Sequence, residues 1–186
     1  MYYDNSRPIF AFSTMCMILL RECRHERRAS VELIADRLNV PSSTWEKAEA
    51  ALIDFDFNLF CRACDVMQLA PSWVIHIGER YVAILRDSGW DVLFTKPKEV
   101  GRDDMLRKAK DFWKTDVGQG YLRESSIMVE PDLIRNVAAP LFRYALDPSY
   151  QELLDNPIAV SPGFSPTFSD RAEQGSMRSP SDPTFE

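Results

Sequence analysis

Apolar residues recur at helical spacing through most of the first 155 positions. Across 12–26, Met15, Ile18 and Leu19 form a stripe. Arg21, Arg24, Arg27 and Arg28 lie on or beyond its end, where basic side chains suit a helix C-terminus. Ser30 is placed to cap a second helix over 31–38, with Leu33, Ile34, Ala35 and Leu38 inward. Asn39 fits the end of that helix because asparagine tolerates left-handed backbone angles, and Pro41 stops continuation. Ser42 is the expected cap of a third helix, with Trp45, Ala48 and Leu52 on one side. Asp54 or Asp56 caps a fourth helix through Met67, and Pro71 with Ser72 begins a fifth segment carrying Trp73, Val74 and Ile77. Four or five short helices in some sixty residues can enclose one core.

Beyond position 78 the pattern is looser. Tyr81, Ile84 and Leu85 have helical spacing, Gly89 breaks it, and 90–95 reads as a short strand. An amphipathic helix is expected over 102–115, with Met105, Leu106, Ala109, Phe112 and Trp113 against Arg107, Lys108, Lys110 and Lys114. Another begins at Pro131 and Asp132, uses Ile134, Val137, Ala138, Leu141 and Phe142, and is kinked or split at Pro140. A short last helix is expected over 149–154. After Asn156 the periodicity stops, and a serine- and proline-rich stretch reads as a disordered tail, whose Phe164, Phe168 and Phe185 read as plain composition, with short docking anchors as the alternative. The expected class is therefore mainly α with one or two short strands. It divides into a helix-turn-helix domain over 9–77, a mostly helical region over 78–156 that serves dimerisation or partner binding, and a tail over 157–186.

Composition narrows the function. The 186 residues carry a net charge of −6, against the strongly basic balance of a general nucleic-acid coat protein but compatible with one small basic patch. The apolar run 9–20 is interrupted by Ser13 and Thr14, is short for a bilayer and lacks the pattern of an export signal, so the expected location is the cytoplasm. Cys16, Cys23, Cys61 and Cys64 fall inside expected helices and read as core thiols rather than a zinc site or a disulfide framework. No glycine-rich phosphate loop, HExxH or GxSxG occurs, and His76 between two isoleucines reads as a packed histidine. The expectation is a non-enzyme with no cofactor and no metal.

Residues 20–74 resemble the Cro/C1-type, lambda-repressor-like helix-turn-helix domain, also called the XRE type. The resemblance rests on Leu20-Arg21-Glu22-Cys23-Arg24-His25-Glu26-Arg27-Arg28, on Ala29-Ser30 with Ile34-Ala35, and on Leu38-Asn39-Val40-Pro41-Ser42-Ser43-Thr44-Trp45 closed by Glu49. The stretch 63–74 is similar to that family's fourth helix and its turn into a fifth. Gly89-Trp90-Asp91-Val92-Leu93-Phe94 echoes a stretch that follows the core in some phage-type regulators. The chain departs from the pattern at Val31, where a glutamine is usual, at Ala50-Ala51, where a glycine is usual, and at Glu46 in the recognition segment.

The resemblance implies a five-helix domain and a sequence-specific transcriptional regulator or repressor of bacterial, phage or mobile-element type. Such a protein binds double-stranded DNA as a homodimer through 42–51 in the major groove. The candidate contacts are Ser42, Ser43, Thr44 and Lys47, with Arg24, Arg28 and Arg37 flanking; Arg27 belongs with them. Glu46 can accept from a cytosine amino group. The plain reading of Ser42–Thr44 is a capping cluster, and of the arginines a solvated helix end. The 102–115 or 132–144 helix can supply a dimer interface or pack on its own N-terminal domain. Two alternatives stand beside regulation. One is a protein-binding module that keeps the fold with little DNA contact, for which the acidic balance, Val31 and Glu46 speak. The other is an assembly subunit or anti-host factor whose function lies in 79–155, reaching a protein partner through 102–155 or the tail.

Overall fold

A computed structural model describes residues 7–53, 56–95, 102–120, 127–131 and 138–156. Among the described residues the element order is β1 (Ile9–Ala11), α1 (Phe12–Glu26), α2 (Val31–Leu38), α3 (Ser42–Glu49), α4 (Phe57–Val66), α5 (Pro71–Asp87), β2 (Asp91–Leu93), α6 (Asp104–Phe112), α7 (Asp116–Gln119), α8 (Pro140–Leu146) and α9 (Pro148–Asp155). The chain is mainly helical, as its periodicity predicts. The expected tail 157–186, the Phe164, Phe168 and Phe185 anchors, and 132–137 of the expected 132–144 helix lie outside the described residues.

The first helix has the bounds its stripe predicts, and its buried side includes Met15, Ile18, Leu19, Leu20 and Cys23. It packs on α5, α3 and α6. Against α5 the two helices approach closely at Gly78, where a Cβ would lie 3.5 Å from Leu19 and 3.6 Å from Met15. The fifth helix runs unbroken through 71–87, so the segment opened by Pro71 and the one around Tyr81 are a single element. Its length carries it across the expected boundary at 77/78, and the described residues up to Asn156 belong to one compact unit. No helix among the described residues is long and apolar enough to cross a membrane.

The first five helices share a terminating device. Arg28, Asn39, Ala51 and Gln68 have φ 53° and Gly89 has φ 88°. At each, the following N–H reaches back into the helix: Ala29 to Arg24 O, Val40 to Ala35 O, Leu52 to Lys47 O, Leu69 to Cys64 O and Trp90 to Leu85 O, at 2.8–3.1 Å. These are left-handed helix ends with six-to-one bonds, which satisfy carbonyls the helix leaves open.

The short strand β1 is absent from the periodicity reading, because three buried residues carry no repeat. It pairs in parallel with β2, Ile9 opposite Asp91 and Ala11 opposite Leu93. Its other edge is closed by the start of α6. Ile9 N–H donates to Asp104 Oδ2 at 2.8 Å and Ala11 N–H to Asp103 Oδ2 at 3.0 Å. Asp103 also caps α6 by accepting from Leu106 N–H. Burial pushes its carboxyl above the usual range, against the N–H bonds that hold it down.

The expected dimer helices are largely spent inside this unit. Met105, Ala109 and Phe112 of α6 are buried, and α6 packs on α1, β1 and α8. Leu141, Phe142 and Tyr144 of α8 are buried too, with Phe142 stacked on Tyr81 and Ala139 N–H donating to Tyr81 Oη at 3.1 Å.

Candidate nucleic-acid interface

Two short helices joined by three residues form the candidate site. Ser30 caps α2 by accepting from Leu33 N–H at 3.1 Å, and Asn39 ends it in the left-handed region. The turn Asn39-Val40-Pro41 is held by Val40 N–H on Ala35 O at 3.0 Å. The expected cap of α3 is corrected. Pro41 is the N-cap residue, its carbonyl accepts from Thr44 and Trp45 N–H, and no side chain caps the helix. Ser42 already lies inside the first turn, so its hydroxyl is not committed to capping.

The orientation of α3 is set from below. Trp45 is fully buried, and Ala48 and Glu49 are buried with it. Leu52 departs from the expectation, since α3 stops at Glu49 and Leu52 is 66% exposed. With Trp45 and Ala48 inward, Ser43, Glu46 and Lys47 face solvent, while Ser42 and Thr44 are half-buried. Arg27, Arg28 and Arg37 are exposed on the segments before and within α2.

Arg24 is the correction among the candidate contacts. It is 6% exposed, and both ends of the Glu49 carboxylate hold it, Nε to Oε1 at 2.5 Å and Nη2 to Oε2 at 2.7 Å. Its Nη1 donates to Ala29 O at 2.9 Å. A guanidinium so enclosed cannot reach a phosphate. It ties α1 to α3 instead. Spacing within α1 could not find this, because the partner lies 25 positions away.

Other side chains reinforce the base. Arg62 of α4 donates to Leu38 O at the end of α2. Glu22, buried on α1, accepts from Trp113 Nε1–H at 2.9 Å. His25 lies beside Arg24, and burial together with that positive neighbour pushes its imidazolium below the usual range. His76 is not the packed histidine expected. Its side chain is 44% exposed, stacks on Trp73 and stands 4.0 Å from Glu130.

Cys16, Cys23 and Cys64 are buried, Cys61 is half-buried and all four are free. Burial pushes the thiols of Cys16, Cys23 and Cys64 up to about 12. Among the described residues no group of three histidine, cysteine or acidic side chains is placed to hold a metal ion. No family model matches the chain, and no curated protein or solved structure matches it.

Proposed function

We propose that the chain is a sequence-specific DNA-binding regulator whose first five helices form a lambda-repressor-like domain, with α3 entering the major groove. The observation that carries this reading is the pairing of α2 and α3 through a three-residue turn with a left-handed Asn39. Trp45 anchors the inner side of α3, and Ser43 and Lys47 are exposed on its outer side. Lys47 is the charged contact for a phosphate or a guanine, and Ser42, Ser43 and Thr44 supply hydroxyls near the helix start. Arg28 and Arg37, with Arg27, supply backbone contacts at the flanks. A single helix reads few base pairs, so binding is as a homodimer.

Selection from a random double-stranded library, followed by anisotropy titrations at several salt concentrations, tests the reading. The expected result is an inverted repeat with half-sites about 34 Å, one helical turn, apart. Affinity falls steeply as salt rises. Absence of any enriched sequence overturns it.

A second reading has an observation of its own. Leu33 is 44% exposed on α2, and Glu32, Asp36 and Glu46 are exposed around the same two helices. An apolar residue among carboxylates suits a protein partner better than a phosphate backbone. In that reading the chain is a protein-binding module or assembly subunit that keeps the helix-turn-helix fold with little DNA binding.

A further inference from the structure

The guanidinium of Arg24 is ringed by acceptors. Glu49 takes its Nε–H and an Nη2–H, and Ala29 O takes an Nη1–H. Nη2 also stands 3.3 Å from His25 Nε2. Arginine offers donors and no acceptor, so Nε2 must be the acceptor in this contact. That assigns His25 as the neutral ring with its proton on Nδ1. The imidazole thus completes the shell around the ion pair that ties α1 to α3.

A proton on Nε2 removes that acceptor and sets two positive donors against each other. Arg24 is 6% exposed, so solvent screens the repulsion poorly. The charged groups acting on the ring are Arg24 and Arg21 of its own helix, which oppose a second positive charge, and Glu49 of α3, which favours one. Among the described residues, α5, α6 and β1, the other elements packed on α1, contribute none. An imidazolium at this place also competes with Arg24 for the Glu49 carboxylate. Glu49 is the last residue of α3, so a disturbed carboxylate reaches the helix that carries Ser43 and Lys47.

We propose that the hold of α1 on α3 is proton-sensitive: neutral His25 keeps it closed, and a proton on Nε2 loosens it. His25 is half-buried, so solvent can deliver that proton. In the closed state the ring's pKa lies below its ordinary 6.5, through burial first and Arg24 second, so protons favour the loosened state. The hold is complete above 6.5 and is lost as pH falls toward the folded value. The loosening itself involves no DNA, whereas its effect on DNA binding rests on the regulator reading.

The test follows amide and imidazole NMR signals of the full chain from about pH 7.5 to pH 5. The chain has two histidines, and His76→Gln assigns the ring signals of His25. The α3 amides from Trp45 to Glu49 are expected to shift with the same midpoint as the His25 ring. In His25→Gln, whose amide oxygen can accept from Arg24 at every pH, that shift is expected to vanish; in His76→Gln it is expected to persist. Three results overturn the proposal: a His25 ring that stays neutral to the end of the range, α3 amides that stay fixed while the ring titrates, or an equal shift in His25→Gln. The first two need only the parent fold. On the selected DNA, the parent is expected to lose affinity several-fold over the same range relative to His25→Gln. An α3 titration without any selected DNA removes the regulator and leaves the switch, whereas selected DNA without the titration removes the switch and leaves the regulator.

Discussion

Arg24 and Glu49 form a two-bond ion pair between α1 and α3, at 2.5 and 2.7 Å, with side chains only 7% and 2% exposed. A pair this enclosed is costly to break, because removing one partner leaves the other charged and dry. Glu49→Ala is expected to destabilise the fold by about 3–5 kcal/mol in urea denaturation. Replacing both residues with apolar ones of similar size, Arg24→Met with Glu49→Leu, is expected to recover most of that loss. A single variant as stable as the parent would show that the pair does not hold α3.

Lys47 is the contrasting case, exposed on the outer side of the same helix. Lys47→Ala is expected to change stability by no more than about 0.5 kcal/mol. On the selected DNA it should weaken binding and reduce the salt slope by about one. Anisotropy and thermal denaturation on one preparation separate the two effects.

The two helix starts predict different responses to serine removal. Ser30 caps α2, so Ser30→Ala should cost about 1 kcal/mol. No side chain caps α3, so Ser42→Ala should cost far less, while any loss of DNA affinity would mark the hydroxyl as a contact. Paired denaturation curves decide between them.

Ala51 ends the stretch after α3 at φ 53°, a conformation in which a Cβ costs roughly 1–2 kcal/mol. Ala51→Gly relieves it at some cost in unfolded-state entropy, and a net gain of about 0.5–1 kcal/mol is expected. A fall in denaturation midpoint would mean that the half-buried Ala51 methyl contributes more by packing than it costs by strain.

His25 gives the chain a pH dependence of definite sign. Its folded pKa lies below 6.5 through burial and the charge on Arg24, so the unfolded chain takes up the proton first as pH falls. The stability this group contributes is present above 6.5 and is lost as pH drops toward the folded value. The thermal midpoint of the parent should therefore fall more steeply between about pH 7.5 and pH 5 than that of His25→Gln. Parallel curves would remove His25 from the acid response.

Local signals carried much of the fold. The stripe from Met15 to Leu19 marks α1 to the residue, Ser30 and Asn39 mark both ends of α2, and Asp56 is one of the two caps expected for α4. Each is a relation among residues within one or two turns. The left-handed ends at Arg28, Ala51 and Gln68 were invisible, since none of these residues prefers that region. The candidate site was legible as two helices and a turn, with Ser43 and Lys47 outward. It was misread at Ser42, which is not a cap, and at Arg24, which is not on the surface.

By itself the sequence determined where helices such as α1 and α2 form and stop, because propensity, capping and periodicity act over a few residues and need no partner. Tertiary structure decided what each side chain does once formed. Arg24 becomes a core ion pair only because Glu49 arrives opposite it, and Ile9–Ala11 becomes a strand only because β2 and the carboxylates of Asp103 and Asp104 meet its N–H groups. The exposed row on α3 has the same origin. Burying Trp45 and Ala48 as α3 packs on α1 and α2 leaves Ser43 and Lys47 to the solvent, an outcome set by packing across the chain rather than along it.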